Sequence, residues 1–141
     1  MSADPFRLQR FVDAQASVWD HVKEELARGK KRTHWMWFVF PQLAALGHSP
    51  TAKFYGISGL EEAREYLEHP LLGVRLLECC DLLLKKKDVS AREVFGDVDA
   101  MKFRSSLTLF DAVARTPIFS ACLARYFDGE TDRLTMAALG P

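Results

Sequence analysis

The sequence has no excess of charge of either sign: 19 Lys+Arg are matched by 19 Asp+Glu. Nucleic-acid modules usually carry a strong basic excess, so no nucleic-acid partner is expected. Cysteine is scarce. Only Cys79, Cys80 and Cys122 occur, the adjacent pair cannot form an ordinary unstrained disulfide, and no Cys-x-x-Cys spacing exists. The thiols are therefore expected to be reduced, small buried hydrophobes in a cytoplasmic protein. No apolar run approaches the roughly 20 residues that a membrane-spanning helix needs. No export leader is read either, so neither a membrane nor classical secretion is expected. A phosphate-binding glycine loop, a Gly-x-Ser-x-Gly elbow, a His-Glu-x-x-His pair and zinc-finger spacing are all missing. No cofactor and no metal site is expected. Repeats, low-complexity tracts and linkers are absent too.

What is present is an ordinary globular composition, 48% apolar and 27% charged. A chain of 141 residues reads as one domain, 1–141, that can bury roughly two-thirds of its unfolded surface without disulfide staples. Its punctuation consists of helix caps. Asp4-Pro5 opens a run in which Leu8, Phe11, Val12, Trp19, Val22 and Leu26 follow helical spacing, with Gly29 closing it. Thr33–Val39 is apolar all round and reads as a short buried helix stopped by Pro41. Ser49-Pro50 opens a short helix, and Ser58-Gly59-Leu60-Glu61 reads as a capping box on a helix to about Glu68. After His69-Pro70, Leu72, Leu76, Leu77, Cys80, Leu83 and Leu84 cover most of a helix circumference, which predicts a central helix ending at Lys85–Lys87. Ser90–Glu93 is a second capping box on a short helix closed by Gly96. Asp97 or Asp99 then caps a long helix to about Ala114. Thr116-Pro117 begins another that ends near Gly129, and a last one covers about Arg133–Leu139. No segment reads as a strand. The expected fold is all-α, a compact single-domain multi-helix array.

The densest stretch is Lys30–Gln42. Three cations precede Trp35, Met36, Trp37, Phe38, Val39 and Phe40, and His34 and Gln42 flank the apolar block. Such a block is either the wall of a pocket with a polar rim or a core element with a solvated flank. His34 is a candidate acid or base, because an imidazole titrates in the cellular pH range. It is equally a packed or capping residue. Gln15 lies between Phe11 and Trp19 at four-residue spacing. A buried amide there either bonds neighbouring backbone or orients a ligand. Lys102, Ser105 and Ser106 share one helix face at i, i+3 and i+4. A lysine and two hydroxyls beside an apolar stripe suit an anion, or mark the close packing of two helices. A Ser/Lys nucleophile–base pair is a weaker option, since the spacing runs opposite to Ser-x-x-Lys.

Several segments together resemble the DUF1810 family. They are Asp4-Pro5-Phe6 with Leu8–Phe11 and Asp13–Gln15; His34–Phe38 with Phe40–Gln42; Ser49–Ala52 with Tyr55; His69–Gly73 with Arg75-Leu76; Phe95-Gly96; and Asp99 with Lys102-Phe103 and Ser105–Phe110. The resemblance covers nearly the whole chain and implies a compact all-α domain of bacterial type with no known function. Some members carry the label calpastatin, although inhibitors of that name are disordered and this composition is globular. A much fainter similarity is to the NADAR proteins of the YbiA type, small helical domains that act on ADP-ribosyl or related N-glycosidic bonds. Their glutamate before the aromatic pair is replaced here by Thr33 and His34.

Two functions follow as expectations. The first is a site between helices for a nucleotide-like or phosphorylated, anionic small molecule. Gln15, Trp35 and Trp37 would line it, with Gln42, His34, Lys102 and Ser105 or Ser106 as the polar rim. If the protein is an enzyme, it would hydrolyse an N-glycosidic bond, with His34 as acid or base and Lys102 holding the anion. The second is a structural or partner-binding helical domain in which these residues are core and caps. Convergence of at least three of Gln15, His34, Gln42 and Lys102 in one open pocket would favour the first.

Overall fold

The computed structural model describes residues 4–140. Its elements are α1 (Gln9–Ala16), α2 (Trp19–Arg28), α3 (Met36–Val39), a 3-10 turn (Ala44–Leu46), α4 (Pro50–Phe54), α5 (Leu60–Glu68), α6 (Leu72–Leu84), α7 (Ala91–Asp111), α8 (Ile118–Phe127) and α9 (Arg133–Leu139). The protein is all-α. Among the described residues the only extended pairing is a parallel bridge, Leu43 with Ile57. Helix α6 packs on α2, α5 and α8, and α7 packs on α3, α5, α8 and α9. These two helices supply the largest share of the core, in which Leu72, Leu76, Cys79, Cys80, Leu83, Phe103, Leu107 and Phe110 are buried.

Three caps differ from expectation. The first helical run is broken: α1 ends at Ala16 and α2 restarts at Trp19, because the two halves have different neighbours, α3 for one and α6 for the other. Asp4 caps from further out, its carboxylate accepting from the Leu8 and Gln9 N–H groups at 2.7 and 3.0 Å. The box at Ser58 does not form. Gly59 is the N-cap of α5 with no side-chain bond, and Glu62 instead accepts from the Ser58 N–H at 2.9 Å. Glu62 is drawn inward because it pairs with the nearly buried Arg10 at 2.9 Å.

Two other caps stand as read, but the one expected at Asp97 or Asp99 does not form: among the described residues neither carboxylate accepts a backbone N–H. Ser49 accepts from the Ala52 N–H, and Ser90 and Glu93 form their reciprocal box. Gly96 breaks α7 with φ 80° and ψ 170°, a left-handed region that favours glycine. The long helix after it ends at Asp111, not Ala114. Asp97 and Asp99 are engaged in ion pairs, to Arg92 and to Lys31 and Lys102. No helix among the described residues is long and apolar enough to cross a membrane.

Candidate functional site

A cleft of about 370 Å³ opens where the 3-10 turn, α4, α7 and the start of α9 meet. Its lining includes Val98, Met101, Lys102 and Ser105 from α7, which recur on one face at helical spacing. The loop around the 3-10 turn supplies Gln42, Leu46, His48 and Ser49. Asp132 and Leu134 close the third side. The loop is pinned by the parallel bridge: Ala44 N–H donates to Ile57 O and Ile57 N–H to Gln42 O, both at 2.8 Å. Gly56 permits this approach, since a Cβ there would lie 2.4 Å from the Ala44 Cα.

Lys102 is held from two sides. Its Nζ stands 5.3 Å from the Trp37 ring centroid and 3.8 Å from Asp99 Oδ1. The other oxygen of Asp99 binds Lys31 at 2.9 Å. Lys31 is nearly buried and lies 5.1 Å from the Trp35 ring centroid. Two lysines on two indoles thus share one carboxylate, so the group carries one net positive charge, and Lys102 is the member that reaches the cleft.

Of the residues nominated from sequence, Gln42, Lys102 and Ser105 line this cleft. Trp37 is half-buried beside it and supports Lys102 without appearing on its lining. The others lie elsewhere. Gln15 is buried: its Nε2 donates to Phe38 O at 2.7 Å and to the Tyr66 hydroxyl at 3.2 Å, and its Oε1 accepts from Arg75 at 3.2 Å. Those bonds tie α1 to α3, α5 and α6, and no ligand is needed to satisfy the amide. Trp35 is fully buried, its Nε1 donating to Glu25 at 3.0 Å. His34 is exposed just before α3 and is not on the lining. Ser106, four residues on from Lys102 and so only about 40° around α7 from it, is buried beneath that face and is not on the lining. Its Oγ has no hydrogen-bond partner among the described residues. Two of the four residues whose convergence was in question, Gln42 and Lys102, meet; Gln15 and His34 do not, so the convergence of at least three expected for a small-molecule site is not met.

Sequence reasoning missed Asp132, Thr135, His48 and Ser49. Asp132 accepts from the Thr135 N–H at 2.9 Å, a local N-cap three residues apart that was readable as such. Its nearness to Ser105, across 27 residues of chain, was not. Glu25 was also overlooked. Its nearly buried carboxylate accepts from Arg32 N–H, Thr33 N–H, the Thr33 hydroxyl and Trp35 Nε1, all within 3.0 Å. Burial would raise its pKa, but these four bonds outweigh it and hold the carboxyl down at about 2. Glu25 thereby fixes the Arg32–Trp35 turn that leads into α3. Among the described residues no three His, Cys, Asp or Glu side chains gather in the manner of a metal site.

Comparison with known proteins bears on the whole chain. A search of curated proteins finds no match. The crystal structure of the conserved hypothetical protein Rv1873 from Mycobacterium tuberculosis, at 1.38 Å, is similar throughout. The two share 53% sequence identity over 98% of this chain and 99% of that one, with a TM-score of 0.96. A family model described as a protein of unknown function, DUF1810, matches residues 5–139. With the helical fold, the His34–Gln42 block and a family match over nearly its full length, the chain belongs to the DUF1810 family.

Proposed function

We propose that the cleft between α4, α7 and α9 binds a small anionic molecule of nucleotide-like or phosphorylated type. One observation carries this reading: the cation of Lys102 sits in a concave site whose mouth holds apolar side chains that the fold leaves uncovered. Val98, Met101 and Leu134 are 67%, 66% and 66% exposed. Large apolar side chains grouped around a cleft with a few polar groups are the usual composition of a ligand site. The polar groups are suited to an anion. Lys102 has only a loose contact with Asp99, and the Ser49 hydroxyl accepts from the Ala52 N–H while keeping its own proton to donate.

Hydrolysis of an N-glycosidic bond is a finer reading with less support. It relied on His34, which is not among the lining residues. An acid or base in this cleft would have to be His48 or Asp132, and one oxygen of Asp132 is already occupied by two bonds from Thr135. Binding is the activity to seek first.

The test is a thermal-shift screen against nucleotides, NAD metabolites and sugar phosphates. A ligand at 100 times its dissociation constant adds about 2.7 kcal/mol, or roughly 8 °C for a domain of this size. The expected outcome is a rise with at least one anionic class, lost in Lys102→Met and retained in Gln15→Leu. No rise with any class, or an unchanged rise in Lys102→Met, would leave the chain as a structural or partner-binding domain.

A further inference from the structure

We infer that the cleft selects a ligand carrying a hydrogen-bond donor next to its anionic group, the hydroxyl-beside-phosphate arrangement of a phosphorylated sugar or polyol. This rests on the anion reading above and adds the chemistry of its neighbour. The direction of a buried hydrogen-bond chain sets this requirement. Ser105 Oγ and Thr135 Oγ1 lie 2.8 Å apart, and distance by itself leaves either one as donor. The next link decides. Thr135 Oγ1 lies 2.7 Å from Asp132 Oδ2 and donates to it, because a carboxylate has no proton to give. A threonine hydroxyl has one proton. Once that proton is committed to Asp132, Thr135 meets Ser105 only as an acceptor, and Ser105 must donate to Thr135.

Asp132 is itself fixed. Its Oδ2 also accepts from the Thr135 N–H at 2.9 Å, and its own N–H donates to the Thr108 hydroxyl at 2.9 Å. Thr135 is fully buried and Ser105 nearly so, so water does not readily reorient the pair.

The consequence lies at the cleft. Ser105 is on the lining with its proton turned inward, so it offers only lone pairs, and no described residue donates to them. A ligand group over Ser105 must therefore be an O–H or N–H. An ether or carbonyl oxygen there would face lone pairs and lose a bond to water without replacement. Lys102 is three residues earlier on the same helix face, a few ångströms away, and takes the anion. Donor and anion on the ligand must have the same separation. Thr135 never touches the ligand. It is a positioning residue that sets which way the Ser105 proton points.

The test is an NMR titration of the amide resonances of Lys102, Ser105 and Thr135, comparing glycerol 3-phosphate with propyl phosphate, which has the phosphate but no hydroxyl. Wild type is expected to bind glycerol 3-phosphate at least tenfold more tightly. Ser105→Ala removes the acceptor and should bring the two affinities together. Thr135→Val frees the Ser105 proton to donate as well, so it should keep the preference over propyl phosphate but also accept 2-methoxyethyl phosphate, whose ether oxygen wild type disfavours, while Lys102→Met weakens all the probes equally. Thermal melts check that each variant is folded, and if Thr135→Val is not, Ser105→Ala decides. Equal wild-type affinities would overturn this inference and leave the anion site standing. So would a preference that persists in Ser105→Ala. Failure of both probes to bind wild type would sink the anion site and this inference together.

Discussion

Glu25 shows how a single buried carboxylate organises a segment that has little regular structure of its own. Four donors converge on it, so its charged form is stabilised in the fold and not in the unfolded chain, and its pKa falls from 4.5 to about 2. For a depressed acid the stabilisation is complete above the unfolded value and is lost as pH falls through the folded one. The window here is therefore pH 4.5 down to 2, and the shift corresponds to about 3 kcal/mol. Glu25→Gln should cost about 2–3 kcal/mol at pH 7 and flatten the loss of stability across that window. Denaturant unfolding at pH 7, 4 and 3 measures both, and an acid slope like wild type's would contradict the assignment. Gln15 makes the complementary case. Its bonds are all to protein groups, so Gln15→Leu should destabilise by about 1–2 kcal/mol, taking the Gln15 acceptor from Arg75 while the Tyr66 hydroxyl still donates to the Phe38 carbonyl. Any ligand response in the thermal-shift screen should survive. A mutant of wild-type stability that loses the response would return Gln15 to the site.

Helices meet here through a small number of close approaches. The tightest is between the end of α5 and the start of α6, where a Cβ on Gly73 would lie 1.9 Å from the Leu67 carbonyl oxygen. Alanine is the better helix former by about 1 kcal/mol, but the obstacle is backbone and cannot rotate away. Gly73→Ala should therefore cost about 3 kcal/mol, the upper end of overpacking, and calorimetry would detect it as a lowered Tm. An unchanged Tm would mean that the α5–α6 turn shifts freely. Most element boundaries were legible from caps of a few residues, such as Ser49-Pro50, Ser90–Glu93 and Thr116-Pro117. The ones misread had a non-local cause. Periodicity runs straight from Phe11 to Leu26, yet the chain breaks between Ala16 and Trp19 because α1 and α2 serve different partners. The Ser58 box looked sound locally, but Arg10, some 50 residues away, leaves its guanidinium beside Glu62 and sets that carboxylate's position.

On the scale of the molecule, α6 and α8 close around the three thiols, with Cys79, Cys80 and Cys122 all free and buried. The Cys122 thiol packs against Cys80, its Sγ 3.7 Å from the Cys80 carbonyl oxygen. Contact with Cys122, then burial, raises the Cys80 thiol well above its usual range, and burial does the same to Cys79. Thiolate is the reactive form, so native labelling by a bulky maleimide should run roughly a hundredfold or more slower than in denaturant, through transient opening. Fast labelling of the native protein would mean that the α6–α8 contact opens readily. The sequence by itself determined the all-α class, the single core and the buried state of the thiols, because each follows from apolar spacing and caps that act within about one helical turn. It also singled out Lys102, Ser105 and Gln42 by residue type. Tertiary structure decided which of the nominated residues meet. Gln15, Trp35 and Ser106 face the core and His34 faces solvent, while Asp132 and Thr135 are brought to Ser105 from the far end of the chain. Periodicity tells which face of a helix is apolar but not which neighbour covers it, and a hydroxyl's hydrogen-bond direction depends on partners that only the packed helices supply.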